Sequence, residues 1–185
     1  MAFVRKTFAV EWGELIPLEL APTDALLKFQ LRNRQRFAPY SPWRSEEFFT
    51  MRHWAAQKRK SSRDRKTELA LRWVLLQDEI VLAQINMDQI FRGVFQSAVL
   101  GYALDESMEG RGVMTACLRE VIHYAFETLN LHRISAHHVP ENQRSEAVLA
   151  RLGFEKEGFA KSYLRLNGAW RDHVLNSFIN PKTIR

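Results

Sequence analysis

The chain has 185 residues, 46% of them hydrophobic, and a formal net charge of +6 at pH 7. This hydrophobic content excludes an intrinsically disordered chain, and the length suits one soluble domain spanning 1–185. No window is long and apolar enough for a signal peptide or a membrane span, and the single cysteine, Cys117, excludes an internal disulfide. We therefore expect a cytoplasmic protein.

Two helices are predicted in the N-terminal third. Apolar residues at helical spacing predict the first helix over 23–37, with Thr23 or Asp24 as its N-cap. A proline-rich loop follows, and Ser45 opens a second helix that leads into the stretch 58–66.

That stretch concentrates positive charge. It holds six basic residues and one acidic residue, which gives 6 − 1 = +5. The basic residues are Lys58, Arg59, Lys60, Arg63, Arg65 and Lys66. One interpretation is a solvated helix end and loop. The other is an electrostatic contact with ribosomal RNA or another polyanion, without base stacking because no aromatic residues are interleaved.

The middle of the chain alternates strands with one long helix. Strands are predicted over 69–77, 80–87 and 96–104, the first two joined by a tight turn. Helical spacing resumes at 113 and continues to about 130, and 133–139 is the next strand. Strand, loop, helix and strand together form a βαβ unit.

The C-terminal part is predicted to be a short helix and a hairpin. Asn142 can cap the helix and Gly153 can end it. The segments 154–166 and 170–179 then form the hairpin, which turns at Asn167-Gly168.

The segment 109–114 joins the third strand to the long helix. Glycines at 110 and 112 let the backbone approach a ligand, and the free N–H groups of the following helix favour an anion. We interpret the segment as a pyrophosphate cradle for a nucleotide-like cofactor. A simple turn before a helix is the alternative.

From about 15 to 178 these motifs resemble the GNAT superfamily of acetyl-CoA-dependent N-acetyltransferases, and within it the ribosomal-protein alanine N-acetyltransferase branch. The residues that carry the resemblance are Gly101-Tyr102, Gly110-Arg111-Gly112-Val113-Met114, His132-Arg133-Ile134, Pro140-Glu141-Asn142, Arg144-Ser145, Leu149 to Gly158 and Gly168 to Val174. The resemblance implies an α/β (α+β) GNAT acyl-CoA N-acyltransferase fold. Its central sheet is mixed, mostly antiparallel and splayed, and helices flank it.

The resemblance also implies acetyl-CoA as co-substrate. It places free backbone N–H groups near Tyr102, Ala103 and Leu104, for the acetyl oxygen and the pantetheine arm. The pyrophosphate would be held by Glu109, Gly110, Arg111, Gly112, Val113, Met114 and Thr115. Asn142 would bind the pantetheine arm, and Ser145 would donate a proton near the sulfur. As structure alone, Asn142 is an N-cap and Ser145 a first-turn residue.

The general base has four candidates, His137, His138, Glu141 and Asp172. A histidine titrates near neutrality, whereas a carboxylate needs its pKa raised by burial. Since His137 and His138 are consecutive on a strand, at most one faces the cleft. A related branch has a proposed catalytic glutamate where this chain has Leu164. No cysteine or histidine set has metal-ligand spacing, so no metal site is expected.

The acceptor is predicted to be a primary amine, in particular the N-terminal alanine of a ribosomal protein. An α-amine has a pKa of about 8 against about 10.4 for lysine, so deprotonation at pH 7 costs roughly 1 kcal/mol instead of nearly 5. Trp43, Trp54, Phe91 and Tyr163 are candidate walls of the peptide groove.

Two other functions stay open at this point. One is acetylation of a small-molecule amine, such as a polyamine, an aminoglycoside or a peptide antibiotic. The other is a ribosome- or RNA-binding module on a GNAT scaffold, which would associate with the ribosome through Lys58 to Lys66. The sequence fits a monomer or a homodimer equally.

Overall fold

The computed structural model describes residues 6–183, which form one eight-stranded sheet with helices on both faces. The strands are β1 Phe8–Val10, β2 Gly13–Pro17, β3 Leu71–Gln77, β4 Ile80–Phe91, β5 Ser97–Leu104, β6 Arg133–His138, β7 Glu155–Leu166 and β8 Ala169–Ile179. The helices are α1 Thr23–Arg32, α2 Arg34–Phe37, α3 Met51–Lys66, α4 Val113–Glu127 and α5 Gln143–Arg151. The predicted domain, 1–185, also includes 1–5 and 184–185, which lie outside the described residues.

The strand order is β1-β2-β3-β4-β5-β6-β8-β7, and every pair is antiparallel except β5–β6. Helix α4 makes the crossover that this parallel pair requires. Strands β5 and β6 pair only from Ser97 to Val99, so the rest of β5 has no partner strand on that side among residues 6–183. The mixed, mostly antiparallel, splayed sheet flanked by helices is therefore confirmed.

The sheet separates two apolar cores. The larger core lies against α4 and α5 and contains fully buried residues such as Leu118, Val121 and Ile134. The smaller core lies against α1 and α3 and includes Phe29 and Trp54. Burial of apolar side chains on both faces fixes the sheet between two helical layers.

The N-terminal third differs from its prediction. Strands β1 and β2 are not predicted, because three and five residues are too short to show a clear alternation. The first helix breaks at Asn33, whose buried side chain donates to the Phe29 carbonyl at 2.9 Å and to Asp105 at 2.9 Å. The second helix begins at Met51 rather than near Ser45, and Thr50 caps it by accepting the His53 N–H at 3.2 Å.

The basic stretch 58–66 is helical, and four of its six cations are engaged within the protein, Arg63 through an ion pair with Asp64 at 4.0 Å. Lys58 donates to the Ala21 carbonyl at 2.5 Å. Arg65 pairs with Glu19 at 2.7 Å, and Lys60 pairs with Asp64. The free positive charge is therefore smaller than the sequence count indicates.

Candidate active site

The glycine loop lies between the end of β5 and the start of α4. Gly110 has φ +71° and Gly112 has φ +78°, a region that favours glycine. Gly112 is the N-cap of α4, and no described side chain caps this end. A Cβ at either glycine would meet no heavy atom within 4 Å, so both face open space. The first-turn N–H groups of α4 are thus available to an anion.

Beyond Val99, strands β5 and β6 no longer pair, which leaves a gap in the sheet. The end of β5 presents backbone amides to this gap. The Asp105 N–H donates to the Leu82 carbonyl on β4 at 2.8 Å. Because amides alternate along a strand, the N–H groups of Tyr102 and Leu104 point away from β4, into the gap. The Ala103 N–H instead faces β4, opposite Gln84.

Helix α5 borders the same gap. Its N-cap Asn142 accepts the Ser145 N–H through Oδ1 at 3.1 Å, as its capping role predicts. The hydroxyls of Tyr102 and Ser145 lie 2.7 Å apart. Burial raises the pKa of Tyr102 to about 12, although the hydrogen bond to Ser145 acts in the opposite direction. The Tyr102 hydroxyl therefore keeps its proton at neutral pH.

Two cavities meet at this point. The first, of about 1090 Å³, is called here the α4–α5 cavity, and its lining includes Gly110, Met114, Asn142 and Ser145. The second, of about 750 Å³, lies on the other face of the sheet and is called the α1–α3 cavity. Both are lined by Phe37, Tyr40, Ser41, Tyr102 and Ala103. A molecule in each cavity would therefore meet the other beside the end of β5.

Glu109 holds two arginines at the mouth of the α4–α5 cavity. It pairs with Arg36 of α2 and, at 2.7 Å, with Arg144 of α5. Arg36 also donates to the Leu104 carbonyl. These contacts tie α2, the glycine loop and α5 together around the gap.

The remaining predicted loop residues lie in different surroundings. Gly112, Val113 and Thr115 line a groove between β1 and α4, where Val113 and Thr115 are buried. Arg111 is solvent-exposed and lines neither of the two meeting cavities.

The structure brings one of the four base candidates to a cavity wall. Glu141 lines the α4–α5 cavity and pairs with Arg171. Asp172 accepts the Ser162 N–H at 2.8 Å in the β7–β8 hairpin and lines neither cavity.

The two histidines lie on opposite faces of β6, as their adjacency predicts. His138 is buried on the α4 side, with Nδ1 3.0 Å from the Val139 carbonyl oxygen. The His137 ring contacts Tyr163 edge to face, with ring centres 5.5 Å apart. Neither histidine lines either cavity. Their catalytic role stays a prediction without a contact to support it.

The floor of the α1–α3 cavity is polar and was not predicted. Gln84, Asn86 and Asp88 line it from one face of β4, while the residues between them are buried in the larger core. Arg72 on β3 pairs with Asp88 at 2.5 Å. The alternation of polar and apolar residues over 83–88 was the available signal, because a polar face beneath helices indicates a cavity.

The four aromatic candidates divide evenly. Trp43 and Trp54 line the α1–α3 cavity, and Trp54 also belongs to the smaller core. Phe91 is 54% exposed at the far end of β4, and Tyr163 packs between His137 and His173. Phe91 and Tyr163 line neither cavity.

Residues 6–183 contain neither a cluster of metal-ligating side chains nor a membrane-spanning helix. No group of three or more histidine, cysteine, aspartate or glutamate side chains in this range is placed to hold a metal ion. None of the helices formed by these residues is both long and apolar enough to cross a membrane.

Comparison with known proteins identifies the class. Residues 14–155 match the family model described as an acetyltransferase (GNAT) domain. The chain is 35% identical over 158 residues to the ribosomal protein uS5-alanine N-acetyltransferase of Escherichia coli (strain K12). The aligned region covers 84% of this chain and 81% of that relative. The chain belongs to the GNAT acetyltransferase family, and it is an N-acetyltransferase.

Solved structures agree with this assignment. The ribosomal-protein-S5-alanine acetyltransferase from Vibrio fischeri matches with a TM-score of 0.90 and 35% identity, over 97% of this chain and 100% of that one. Mycobacterium smegmatis RimJ in complex with CoA-disulfide matches with a TM-score of 0.85 and 28% identity, over 98% of this chain and 89% of that one. Related structures of this fold thus bind coenzyme A.

Proposed function

We propose that the protein transfers the acetyl group of acetyl-CoA to a protein N-terminal α-amine, specifically the N-terminal alanine of a ribosomal protein. The meeting of two cavities at Tyr102 and Ala103 carries this proposal. A direct transfer needs both substrates at one point, and one cavity opens at a helix N-terminus suited to pyrophosphate. The 35% identity to a uS5-alanine enzyme supports the choice of acceptor.

In this proposal, acetyl-CoA occupies the α4–α5 cavity. The amides at the start of α4 bind its pyrophosphate, and the outward N–H groups of Tyr102 and Leu104 bind the acetyl oxygen and the pantetheine arm. Since Asn142 uses Oδ1 as a helix cap, its Nδ2 group is the one that can contact the arm.

The acceptor amine enters from the α1–α3 cavity and attacks the thioester carbonyl carbon. The C–N bond forms, the C–S bond breaks, and the amine proton leaves to water or to Glu141. Ser145 donates its hydroxyl proton to the departing thiolate and regains one from water, while Tyr102 keeps its own proton. A weak base suffices, because deprotonating an α-amine with a pKa of about 8 costs only about 1 kcal/mol at pH 7.

The test uses acetyl-CoA and ribosomes from cells that lack the enzyme. We expect mass spectrometry to find an added acetyl group at the N-terminal alanine of one small-subunit protein. A peptide panel provides the controls: the alanine-initiated peptide, its N-terminally blocked form with an internal lysine, and a polyamine. Acetylation of the polyamine or lysine alone would contradict the proposal.

The exposed face of α3 supports a second role, in ribosome association. Four exposed basic residues lie along α3 at spacings of seven, four and three residues: Arg52, Arg59, Arg63 and Lys66. They form one stripe about 21 Å long, from the 1.5 Å rise of a helix. Such a stripe favours phosphate groups of RNA, and its affinity would fall steeply with salt.

Charge reversal tests the stripe. The triple variant Arg59→Glu, Arg63→Glu, Lys66→Glu is expected to lose cosedimentation with ribosomes at low salt. The matched control reverses three exposed lysines that are not on α3, namely Lys28, Lys156 and Lys161, and should still cosediment. Unchanged cosedimentation of the α3 variant would refute ribosome association through this face.

A further inference from the structure

We propose that the acceptor has a carboxylate a few residues after its reacting amine, and that Arg44 binds this carboxylate. The inference rests on the proposed function, because it concerns the cavity into which the acceptor would enter. It names the chemical class of the acceptor: an acidic N-terminal peptide.

The charged lining of the α1–α3 cavity is mostly basic. It consists of Arg34, Arg44, Arg72, Arg165 and Asp88. Two of the arginines are neutralised within the protein. Arg72 pairs with Asp88 at 2.5 Å and with Asp64 at 2.7 Å, and Arg34 pairs with Glu46 at the rim.

Arg44 and Arg165 form no ion pair with any residue in 6–183. Arg165 donates only to the Gly168 carbonyl, at 3.2 Å. The Arg44 guanidinium lies over the Phe48 ring, 4.4 Å from its centre. A guanidinium stacked by its face keeps its edge N–H donors free, and this edge matches a carboxylate with two parallel hydrogen bonds.

Arg44 is exposed to solvent at the cavity wall and only partly desolvated, and no carboxylate within residues 6–183 forms an ion pair with it. Burial is the cause that lowers its pKa, with no carboxylate to oppose it. The neighbouring His53 lies close enough to feel this charge, because burial and then Arg44 lower its pKa, while Glu47 acts in the opposite direction. A carboxylate on the acceptor would compensate the positive charge of Arg44.

The position of Arg44 places the carboxylate downstream of the amine. Tyr40 and Ser41 line both cavities, whereas Arg44 lines only the α1–α3 cavity. The loop is held in place, since the Asn167 N–H donates to the Ser41 carbonyl at 2.9 Å. With the amine at the meeting point, Arg44 contacts a later residue of an extended peptide. The same charges disfavour a polyamine.

The inference is tested with peptides that begin with alanine. The peptides differ at only one of positions two to four, which is Glu, Gln or Lys. At one of these positions, kcat/KM is expected to be about tenfold higher for Glu than for Gln, a factor equivalent to 1.4 kcal/mol, and lowest for Lys. The preference should weaken as salt is raised.

The Arg44→Gln variant should acetylate the Glu peptide no faster than the Gln peptide, and Arg44→Glu should prefer the Lys peptide. Lys28→Gln removes one exposed positive charge outside the cavities and should keep the preference for Glu. Equal rates for all three peptides with the unmodified enzyme, or a preference retained by Arg44→Gln, would overturn the assignment.

Failure of the proposed function would be visible separately. If no peptide is acetylated, calorimetric titration of the same Glu and Gln peptides into the enzyme with bound coenzyme A replaces the rate measurement. Tighter binding of the Glu peptide, lost in Arg44→Gln, supports Arg44 as a carboxylate site even then. Equal binding overturns it.

Discussion

Tyr102 and Ser145 form a hydroxyl pair at the junction of the two cavities, which joins the end of β5 to the first turn of α5. A serine hydroxyl is a poor acid, and its orientation is free unless a neighbour fixes it. Since Tyr102 stays protonated, it can donate to the Ser145 oxygen and leave the Ser145 proton directed into the cavity. Tyr102 is thus a positioning residue for Ser145.

The Tyr102→Phe variant keeps the ring and removes this hydrogen bond. We expect kcat to fall about three- to tenfold, in line with the ~1 kcal/mol of one hydrogen bond, while the KM for acetyl-CoA changes little. Steady-state kinetics give both values. Tyr163→Phe, whose ring lies outside both cavities, should keep the original kcat. An unchanged kcat in Tyr102→Phe would rule out the positioning role.

Gly112 is the second residue whose substitution should change a measurable kinetic constant. In Gly112→Ala, an alanine would have to adopt the left-handed φ of residue 112. Its Cβ would project into the open space before α4. We expect the KM for acetyl-CoA to rise about tenfold, equivalent to about 1.4 kcal/mol. Gly93→Ala is the matched control, since Gly93 also has a positive φ and open surroundings but lies in the β4–β5 loop. If both variants bind coenzyme A equally in calorimetry, the loop does not hold the cofactor.

At the scale of elements, the β7–β8 hairpin packs an aromatic cluster against β6. Tyr163 contacts both His137 and His173, each with ring centres 5.5 Å apart. Burial lowers the pKa of His137, and the charge on His173 lowers it further. Burial also lowers the pKa of His173, opposed by its hydrogen bond to the Arg171 carbonyl. Both rings are therefore neutral in the folded protein at pH 7.

This cluster predicts a pH-dependent stability. Both folded pKa values lie below the ordinary 6.5, so the unfolded chain binds more protons. The stabilisation is complete above pH 6.5 and is lost as the pH falls below it. Urea unfolding should show a free energy of unfolding that decreases from pH 7 to pH 5. The slope should be shallower in His173→Asn and unchanged in His123→Asn, an exposed control on α4. Equal slopes in all three proteins would contradict the role of the cluster.

At the scale of the whole molecule, Asp105 links the N-terminal helices to the cofactor side of the sheet. It is 5% exposed, accepts from Asn33 at 2.9 Å and Ser107 at 2.7 Å, and pairs with Arg32. Burial opposes its ionisation, but these hydrogen bonds prevail and hold its pKa at about 2. The network also fixes the break between α1 and α2 beside the meeting point of the cavities.

Asp105→Asn should lower the free energy of unfolding by about 2 to 3 kcal/mol, because Arg32 loses its charged partner and an amide donor replaces one of the two acceptor oxygens. In the unmodified protein the same contribution should be present above the ordinary pKa of 3.8 and be lost as the pH falls towards 2. Asp24→Asn, at an exposed pair with Lys28, should leave the free energy of unfolding nearly unchanged. Similar losses in the two variants, measured by urea unfolding, would argue against the network.

Local signals determined the side of the sheet on which we propose that acetyl-CoA binds. Gly110 and Gly112 adopt a positive φ, which glycine tolerates. Asn142 caps α5 by accepting the backbone N–H of the residue three positions later. Both conformations therefore depend on neighbours in the chain. The sequence also indicated β5, α4 and β6 in order, which was enough to predict the splayed sheet through the resemblance.

Only the tertiary structure decided the acceptor side. The α1–α3 cavity is assembled from α1, the loop of Arg44, β4 and the end of β7, and no pattern within one segment reveals that these meet. The break at Asn33 likewise depends on Asp105, 72 residues away. Turns and caps are set by interactions over three or four residues, whereas a cavity is set by which distant surfaces pack together. The sequence therefore determined the glycine loop and the helix cap at which we propose that acetyl-CoA binds, and the tertiary structure decided which surfaces surround them.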